Sequence, residues 1–398
     1  MKTVRSMAWA LLGAAILLGL PLLGVWLMGR DPLDYAEFPP LTRYVEHAAF
    51  SWLAFMLMAA GILAVVLPFV IRIIRSWRTV PQAAPATNRF PWWGWCGVTF
   101  GMVAWILAWT RFAWFAPWQA FTFSPLWLAF IVTVNALTYR RTGHCAMIDR
   151  PGFFTLLFPV SALFWWFFEY LNRFVQNWVY EGVEALSAPD YVLFATLPFA
   201  TVLPAVFGVV ELLRTYPRLT AGLDRFVVLR TNRPKLWAGA VLLLSGFGLA
   251  GIGIWSDYLY PLLWVSPLLL IVCIQALRGR TTIFASLPQG DWQEIFRWAL
   301  AALICGFFWE MWNIASLARW IYNVPLVGRF PIFEMPVLGY AGYIPFGLQC
   351  AVITIALSDL IDLIDRIDNG VSNTDGGCVK MSIGSTGSIR SKEGGIYV

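Results

Sequence analysis

Long apolar runs separated by short polar loops dominate the hydrophobic pattern of this chain. A helix needs about 20 residues to cross the hydrocarbon of a bilayer. Runs near or above that length cover, approximately, residues 7–28, 48–71, 92–112, 121–138, 153–180, 191–213, 236–256, 259–277, 296–322 and 337–358. Their apolar character is continuous, which favours helices over the alternating strands of a membrane β-barrel. The pattern predicts an all-α polytopic membrane protein with about ten transmembrane helices.

The composition agrees with lipid as the main solvent. Hydrophobic residues make up 59% of the 398 residues and charged residues only 13%, whereas a soluble domain has roughly 25% charged residues. The mean hydropathy is +0.68. The chain is also rich in aromatic residues, and its 23 tryptophans suit a protein that crosses many membrane interfaces, where tryptophan anchors helices.

The loop charges predict an orientation. Arginine and lysine concentrate in alternate loops, at residues 72–89, 140–150, 214–235 and 278–297. The loops between them carry acids and little positive charge. Because cytoplasmic loops are enriched in basic residues, both termini are predicted to be cytoplasmic in a cell inner membrane. The net charge of +6 is explained by these loops, so no nucleic-acid partner is predicted.

One motif occurs twice within the apolar sequence. An aromatic run, a glutamate, an asparagine three residues later and a Trp-x-Tyr pair lie in Phe164–Tyr180 and again in Phe307–Tyr322. The glutamates are Glu169 and Glu310, separated by 141 residues (310 − 169 = 141). The asparagines keep the same offset. The motif therefore indicates an internal repeat and the most promising functional site of the chain.

The offset extends to other features, such as Pro204 and Pro345, and predicts a tandem repeat of two four-helix units. The predicted segments are two N-terminal helices with a linker at 1–87, the first repeat at 88–213, a basic cytoplasmic loop at 214–235, the second repeat at 236–358 and a cytoplasmic tail at 359–398. An even number of spans gives both repeats the same orientation, with a pseudo-two-fold axis along the membrane normal. The tail is Gly/Ser-rich towards its end, and disorder is predicted there.

Glu310 is the leading candidate for a functional acid. A charged side chain at the centre of a membrane helix costs on the order of 2.5–3.5 kcal/mol, so two such acids indicate paired partners, bound protons or a water-filled cavity. Arg173 follows Glu169 by four residues, a favourable order for a helical ion pair. The equivalent of Arg173 is Ile314, which cannot neutralise the second acid. Glu310 is therefore predicted to carry protons or attract cations, and Glu169 to form a structural pair.

The neighbours of the acids complete the candidate site. Asn172 and Asn313 would place an amide one turn along the helix from each acid. Trp309 and Trp312 suit a cage for an organic cation, although aromatic rings also simply pack against lipid and helices. Glu334 is either a solvated loop acid or a charge at the entrance of the site.

The composition argues against bound cofactors or metals. The chain has only two histidines, and its six cysteines are scattered without a CxxC motif. Haem, zinc and di-iron sites need more ligands of these types. The sequence therefore predicts neither a cofactor nor a metal.

Three functions remain open from the sequence. The first is a carrier or permease with an intramembrane Glu/Asn site between the two repeats, acting on a small or lipophilic substrate. The second is a membrane-embedded enzyme that acts on a lipid or isoprenoid with Glu310 as general acid. The third is a scaffold subunit that assembles with other membrane subunits. The sequence does not decide whether the protein is an enzyme.

Overall fold

The computed structural model describes residues 2–40, 42–82, 86 and 88–372, with side chains described at 9, 11–40, 42–82, 86 and 88–364. Thirteen α-helices occur in these ranges: α1 Lys2–Leu27, α2 Trp52–Ser76, α3 Trp92–Trp109, α4 Phe123–Thr142, α5 Ala146–Asp149, α6 Pro151–Val175, α7 Ala188–Phe199, α8 Val202–Arg214, α9 Pro234–Gly251, α10 Ser256–Leu259, α11 Leu262–Leu277, α12 Gln293–Asn313 and α13 Tyr343–Ser372. Four short strands accompany them: β1 Trp178–Glu181, β2 Arg319–Tyr322, β3 Pro331–Ile332 and β4 Met335–Pro336.

The predicted all-α membrane class fits this structure. Among the described residues, six helical segments are long and apolar enough to cross a membrane. A seventh is obtained when Trp92–Trp109 and Ala113–Phe121, which meet at an angle of 108°, are counted together. Two shorter apolar helices, Leu11–Leu27 and Leu262–Leu277, fall below this length. The membrane class is therefore supported, whereas the count of ten spans stays a prediction.

The helices pack around a centre formed by α6, α8, α12 and α13. Helix α8 contacts α4, α6 and α12, and helix α13 contacts α6, α8, α11 and α12. Pairs of outer helices pack against each other, namely α3 on α4 and α9 on α11, with α1 beside α9. Helix α2 has its apolar stretch exposed, as expected for a helix that faces lipid.

Two predicted spans are shorter than expected. The spans 153–180 and 296–322 end as helices at Val175 and Asn313, because the chain then turns back into strands β1 and β2. These strands pair antiparallel as a two-stranded ribbon. The Trp-x-Tyr pairs, which the predicted spans included in helices, lie in this ribbon instead.

The basic loops contact one another at one end of the helices. Arg72 donates a hydrogen bond to the carbonyl of Gly222 at 2.9 Å, and Arg214 pairs with Glu294 at 2.7 Å. That this end is cytoplasmic stays a prediction. Disorder is predicted for the tail from residue 369 onwards, but helix α13 continues to Ser372, so the tail is helical over 359–372. Residues 373–398 lie outside the described residues.

Helix α1 is held against α9 by a close backbone approach. A Cβ added at Gly24 would lie 1.9 Å from the carbonyl oxygen of Ala250. We expect Gly24→Leu to lower the free energy of unfolding by about 1–3 kcal/mol, the usual cost of overpacking, measured by thermal unfolding in detergent. Gly19→Leu in the same helix is the control, because nothing lies within 4 Å of its added Cβ. Equal stability of the two variants would contradict this close approach.

Candidate functional site

The two glutamates of the repeated motif are buried near the ends of α6 and α12. Glu169 is 1% exposed and Glu310 is 0% exposed. Each accepts all its side-chain hydrogen bonds on Oε1, and neither Oε2 receives one from the described residues. Two buried acids therefore share one bonding arrangement, in which half of each carboxyl group has no protein partner.

Aromatic donors surround Glu169. Its Oε1 accepts hydrogen bonds from the indole of Trp165 at 2.9 Å and from the indole of Trp178 at 3.1 Å. The hydroxyl of Tyr180 donates to the same oxygen at 2.5 Å. Trp165 lies one turn earlier on α6, whereas Trp178 and Tyr180 reach the acid only because β1 folds back along the helix end. The ribbon therefore completes the shell of this acid.

Tyrosine hydroxyls surround Glu310 in a similar way. Tyr322 of β2 and Tyr343 at the start of α13 each donate to Oε1 at 2.8 Å. The indole of Trp320 donates to the hydroxyl of Tyr322 at 3.0 Å. The second Trp-x-Tyr pair thus covers the second acid, with one further donor from α13.

The two asparagines fix the ribbon to the helix ends. Asn172 donates through Nδ2 to the carbonyl of Trp178 at 2.8 Å and accepts the backbone N–H of Asn177 at 2.8 Å. Asn313 donates to the carbonyl of Trp320 at 2.7 Å and accepts the backbone N–H of the same residue at 2.9 Å. Both side chains are fully buried. They are positioning residues for β1 and β2 and do not line a cavity.

The register of the ribbon brings the two aromatic shells together. Trp178 lies opposite Tyr322, and Tyr180 lies opposite Trp320. Tryptophans and tyrosines that cover one acid are therefore paired across the ribbon with those that cover the other.

A cavity of about 370 Å³ lies against these shells, and we call it the chamber. Its wall includes aromatic residues from both motif copies: Trp165, Trp178, Tyr180, Trp309, Trp320 and Tyr322. Glu169 and Glu310 are not among the lining residues. The sequence predicted that the acids face each other across a cavity, but their aromatic partners form the wall and the acids lie behind it.

Irregular segments of two helical spans line the chamber. Helix α7 ends at Phe199 and α8 begins at Val202, and both of these residues line the cavity. Ser161 bridges this two-residue turn, because its hydroxyl donates to the carbonyl of Phe199 at 2.6 Å and accepts the N–H of Leu203 at 3.0 Å. In the second span a 3₁₀ segment, Val337–Gly342, continues directly into α13, and Gly342 and Tyr343 line the cavity. A short turn and a 3₁₀ segment therefore border the site.

The prolines of these spans do not kink a helix interior. Pro204 and Pro345 each lie at the third residue of their helix. The backbone N–H groups of the first turn have no partner within the helix, so proline is tolerated there. Each proline therefore lies just after the irregular part of its span, which is a two-residue turn before Val202 and a 3₁₀ segment before Tyr343.

The predicted ion pair between Glu169 and Arg173 is wrong. The guanidinium of Arg173 donates instead to the backbone carbonyls of Tyr35 and Glu37, in the loop after α1. Spacing by four residues places two side chains on one helix face, but Glu169 is enclosed by aromatic donors and Arg173 turns to the loop. Neither buried acid has a cationic partner among the described residues. Glu169 therefore cannot be set apart from Glu310 as the acid that an arginine neutralises.

The remaining candidates fall in different places. Trp309 lines the chamber, whereas Trp312 packs edge-on against Trp127 at 5.2 Å, away from the cavity wall. Glu334 pairs with Arg319 at 3.2 Å, and Arg319 also pairs with Glu181 at 3.0 Å. Since Arg319 lines the chamber, Glu334 lies at its charged edge.

Sequence reasoning missed the direct partners of the acids. Tyr343 carried no signal, because it lies 33 residues beyond Glu310 in an ordinary apolar run. The Trp-x-Tyr pairs were visible as repeats, but the predicted spans 153–180 and 296–322 continued as helices through them, and a continuous helix does not fold them back onto the acids. Among the described residues, no group of three or more His, Cys, Asp or Glu side chains could hold a metal ion.

No protein-family model, curated protein or solved structure matches the chain. The apolar helices are compatible with an integral membrane protein in a lipid bilayer. The argument for function therefore depends on the chamber and its aromatic shells.

Proposed function

We propose that this protein is an integral membrane carrier that binds a lipophilic small molecule in the chamber. The observation that carries this proposal is the chamber itself, because its volume of about 370 Å³ and its aromatic, aliphatic wall suit a small organic ligand. Ligand sites are usually concave and apolar, with a few placed polar groups. Several rings of the wall, such as Trp165 and Trp309, have indole faces that an apolar molecule can contact.

The spacing of equivalent elements favours a tandem repeat with this site between its two halves. Helices α8 and α13 begin at Val202 and Tyr343, which keep the spacing of the acids (343 − 202 = 141). The pairing of Trp178 with Tyr322 and of Tyr180 with Trp320 is what a two-fold relation between the copies produces. We infer two four-helix units related by a pseudo-two-fold axis that passes through the ribbon.

Irregular segments in two spans that line the chamber favour a carrier. Departures from regular helix in corresponding positions of two halves are typical of transporter binding sites. Irregular backbone at membrane depth is tolerated only inside protein or along a cavity, and the turn before Val202 and the 3₁₀ segment before Tyr343 meet that condition. The proposed location is a cell inner membrane, with the basic end of the protein and both termini in the cytoplasm. The clustering of arginines at one end supports this orientation.

The test is retention of a lipophilic molecule by purified protein. We expect mass spectrometry of organic extracts to detect the same molecule in the wild type and in Gly152→Phe, near one per protein. Gly342→Phe should lose it, because Gly342 lines the chamber and its added Cβ meets nothing closer than 3.6 Å. The new ring would therefore fill the cavity without a backbone clash.

Gly152 is the matched control because nothing lies within 4 Å of its added Cβ and it does not line the chamber. Equal retention by all three proteins would locate the molecule outside the chamber and contradict the proposal.

An enzyme is the second candidate, and one observation favours it. The hydroxyls of Tyr180, Tyr322 and Tyr343 belong to chamber-lining residues and bond to buried glutamates. When the carboxyl group is protonated, the tyrosine can deliver its hydroxyl proton to an apolar substrate and take up the proton of the carboxyl group, so that the pair acts as a general acid. Incubation of the retained molecule with protein in nanodiscs discriminates the two, since a carrier returns it unchanged and an enzyme converts it.

A further inference from the structure

A group of arginines lies where the end of helix α2 contacts the loop between α8 and α9. Three of them belong to the last turns of α2 or follow directly after it, and one belongs to the loop. We call the group the basic patch, and its members are Arg72, Arg75, Arg78 and Arg225. The patch is formed by two segments that are far apart in the sequence.

Backbone contacts hold these two segments together. The guanidinium of Arg72 donates through Nε to the carbonyl of Gly222 and through Nη2 to the carbonyl of Arg225, both at 2.9 Å. A Cβ added at Gly222 would lie 2.3 Å from the hydroxyl oxygen of Ser76, so the loop lies directly on the helix end. Arg72 is therefore a positioning residue, which places Arg225 beside the last turns of α2.

The other arginines of the patch are open to a ligand. Arg75, Arg78 and Arg225 are exposed, and none of them forms an ion pair with the described residues. Arg75 follows Arg72 by three residues, so the two side chains are neighbours on the helix surface. Arg75 and Arg225 thus lie on either side of Arg72, with their charges uncompensated.

The acids near the patch do not balance its charge. Asp224 is the one acid in the two segments that form the patch. Helix α12 contacts the same loop, but Glu294 of this helix already pairs with two arginines outside the patch, Arg214 and Arg297. Asp291, just before α12, accepts the first backbone N–H of that helix at 2.9 Å. This end of α2 is therefore strongly positive.

Helix α2 offers an apolar surface next to the patch. No residue of its 18-residue apolar window is buried, and Ile71 and Ile74 are exposed close to the arginines. Trp77 is also exposed at this point, and tryptophan is enriched where a helix leaves the hydrocarbon of a bilayer. The surface therefore combines an apolar stretch along the helix with positive charge at its end.

We propose that the basic patch binds an anionic phospholipid, whose head group contacts Arg75 and Arg225 and whose acyl chains follow the exposed face of α2. A guanidinium group bonds phosphate through two N–H groups in a planar fork. A zwitterionic lipid would bring its own cation to the arginines, so charge complementarity selects a head group with a net negative charge. Arginines also suit the C-terminal end of a helix, but that role would not distinguish one lipid from another.

The patch is separate from the chamber. Ile62 is a residue of α2 that lines the chamber, and Arg75 follows it by 13 residues (75 − 62 = 13). At 1.5 Å per residue this separation is about 20 Å along the helix. The inference therefore does not depend on the proposed function of the chamber.

The test compares two lipids that differ only in their head groups. Purified protein in detergent is titrated with phosphatidylglycerol or with phosphatidylcholine of the same acyl chains, and native mass spectrometry resolves the first lipid bound. An arginine close to an anionic lipid strengthens binding roughly fivefold. With two such arginines, we expect the wild type to bind phosphatidylglycerol at least about tenfold more tightly than phosphatidylcholine.

Double variants assign the preference to the patch. Arg75→Gln with Arg225→Gln should lower the preference to less than about threefold and leave the affinity for phosphatidylcholine unchanged. Arg140→Gln with Arg233→Gln is the matched control, because it removes two exposed arginines of the basic loops, at the end of α4 and just before α9. The control should keep the wild-type preference. Should the first double variant fail to fold, each of its single substitutions should still weaken the preference about threefold.

Gly342→Phe shows whether the lipid lies in the patch or in the chamber. Its preference should equal that of the wild type, because the new ring fills only the chamber. Loss of the preference in Gly342→Phe would place the lipid in the chamber and overturn the inference. Equal affinities of the wild type for the two lipids would also overturn it. The same holds for a preference that persists in the patch variant, or that falls equally in the patch variant and its control.

Discussion

Glutamine in place of Glu310 is expected to abolish ligand-linked proton movement and to leave the protein folded. The amide oxygen of glutamine still accepts the hydroxyls of Tyr322 and Tyr343, which donate to the acid at 2.8 Å. A glutamine cannot gain or lose the proton, however. Proton transfer by a positioned side chain contributes about 10²–10⁴-fold to a rate, so we expect a loss of at least about 100-fold.

The measurement uses proteoliposomes that contain a pH-sensitive dye, to which the molecule retained by the purified protein is added. Glu294→Gln is the control, because Glu294 pairs with Arg214 and Arg297 near the basic end and does not line the chamber. Glu169→Gln should lose activity as well, since its carboxyl has the same bonding arrangement. Unchanged proton movement in Glu310→Gln across the pH range would remove the proton-coupling role from this acid.

Leucine in place of either motif asparagine is expected to release the ribbon and strongly destabilise the protein. Asn172 satisfies the carbonyl of Trp178 and the N–H of Asn177, and Asn313 satisfies both backbone groups of Trp320. Each substitution leaves two backbone groups without partners at about 1–3 kcal/mol each. We therefore expect a loss of about 2–5 kcal/mol per variant in the free energy of unfolding.

Thermal unfolding in detergent measures this loss, and tryptophan fluorescence reports the displacement of Trp178 and Trp320. Asn135→Leu serves as control, since the one side-chain hydrogen bond that Asn135 makes with the described residues is to the carbonyl of Ile131 in its own helix. Retention of the chamber ligand should fall together with stability in both motif variants. Stability close to that of Asn135→Leu would show that the ribbon is held by other contacts.

The sequence predicted the helical membrane class because this class depends on the apolar composition of each segment taken by itself. Each long apolar run must bury its backbone polar groups within itself in lipid, and the helices found in the described residues follow those runs closely. The repeated Glu and Asn also marked polar side chains that the structure buries. Both acids and both asparagines are buried in the structure, as expected for polar residues that lie deep in apolar segments.

The ends of α6 and α12 could not be derived in the same way. Hydropathy does not mark where a helix gives way to a strand, and the aromatic residues of Trp178–Glu181 continue the predicted span beyond the end of α6. The helix α6 ends where Gln176 adopts a left-handed backbone with φ of 49°. The side-chain amides of Asn172 and Asn313 then form hydrogen bonds with backbone groups at the starts of the strands.

The sequence by itself determined that this chain forms apolar helices and that four polar residues of its repeated motif would be buried. Only the tertiary structure decided their contacts. The asparagines bond to the backbone of the ribbon, and the acids lie behind the aromatic residues that line the chamber. Arg173 bonds to the loop after α1 and not to Glu169. The physical reason is that burial depends on local composition, whereas hydrogen-bond partners such as Tyr343 and Glu310 come from segments far apart in the chain.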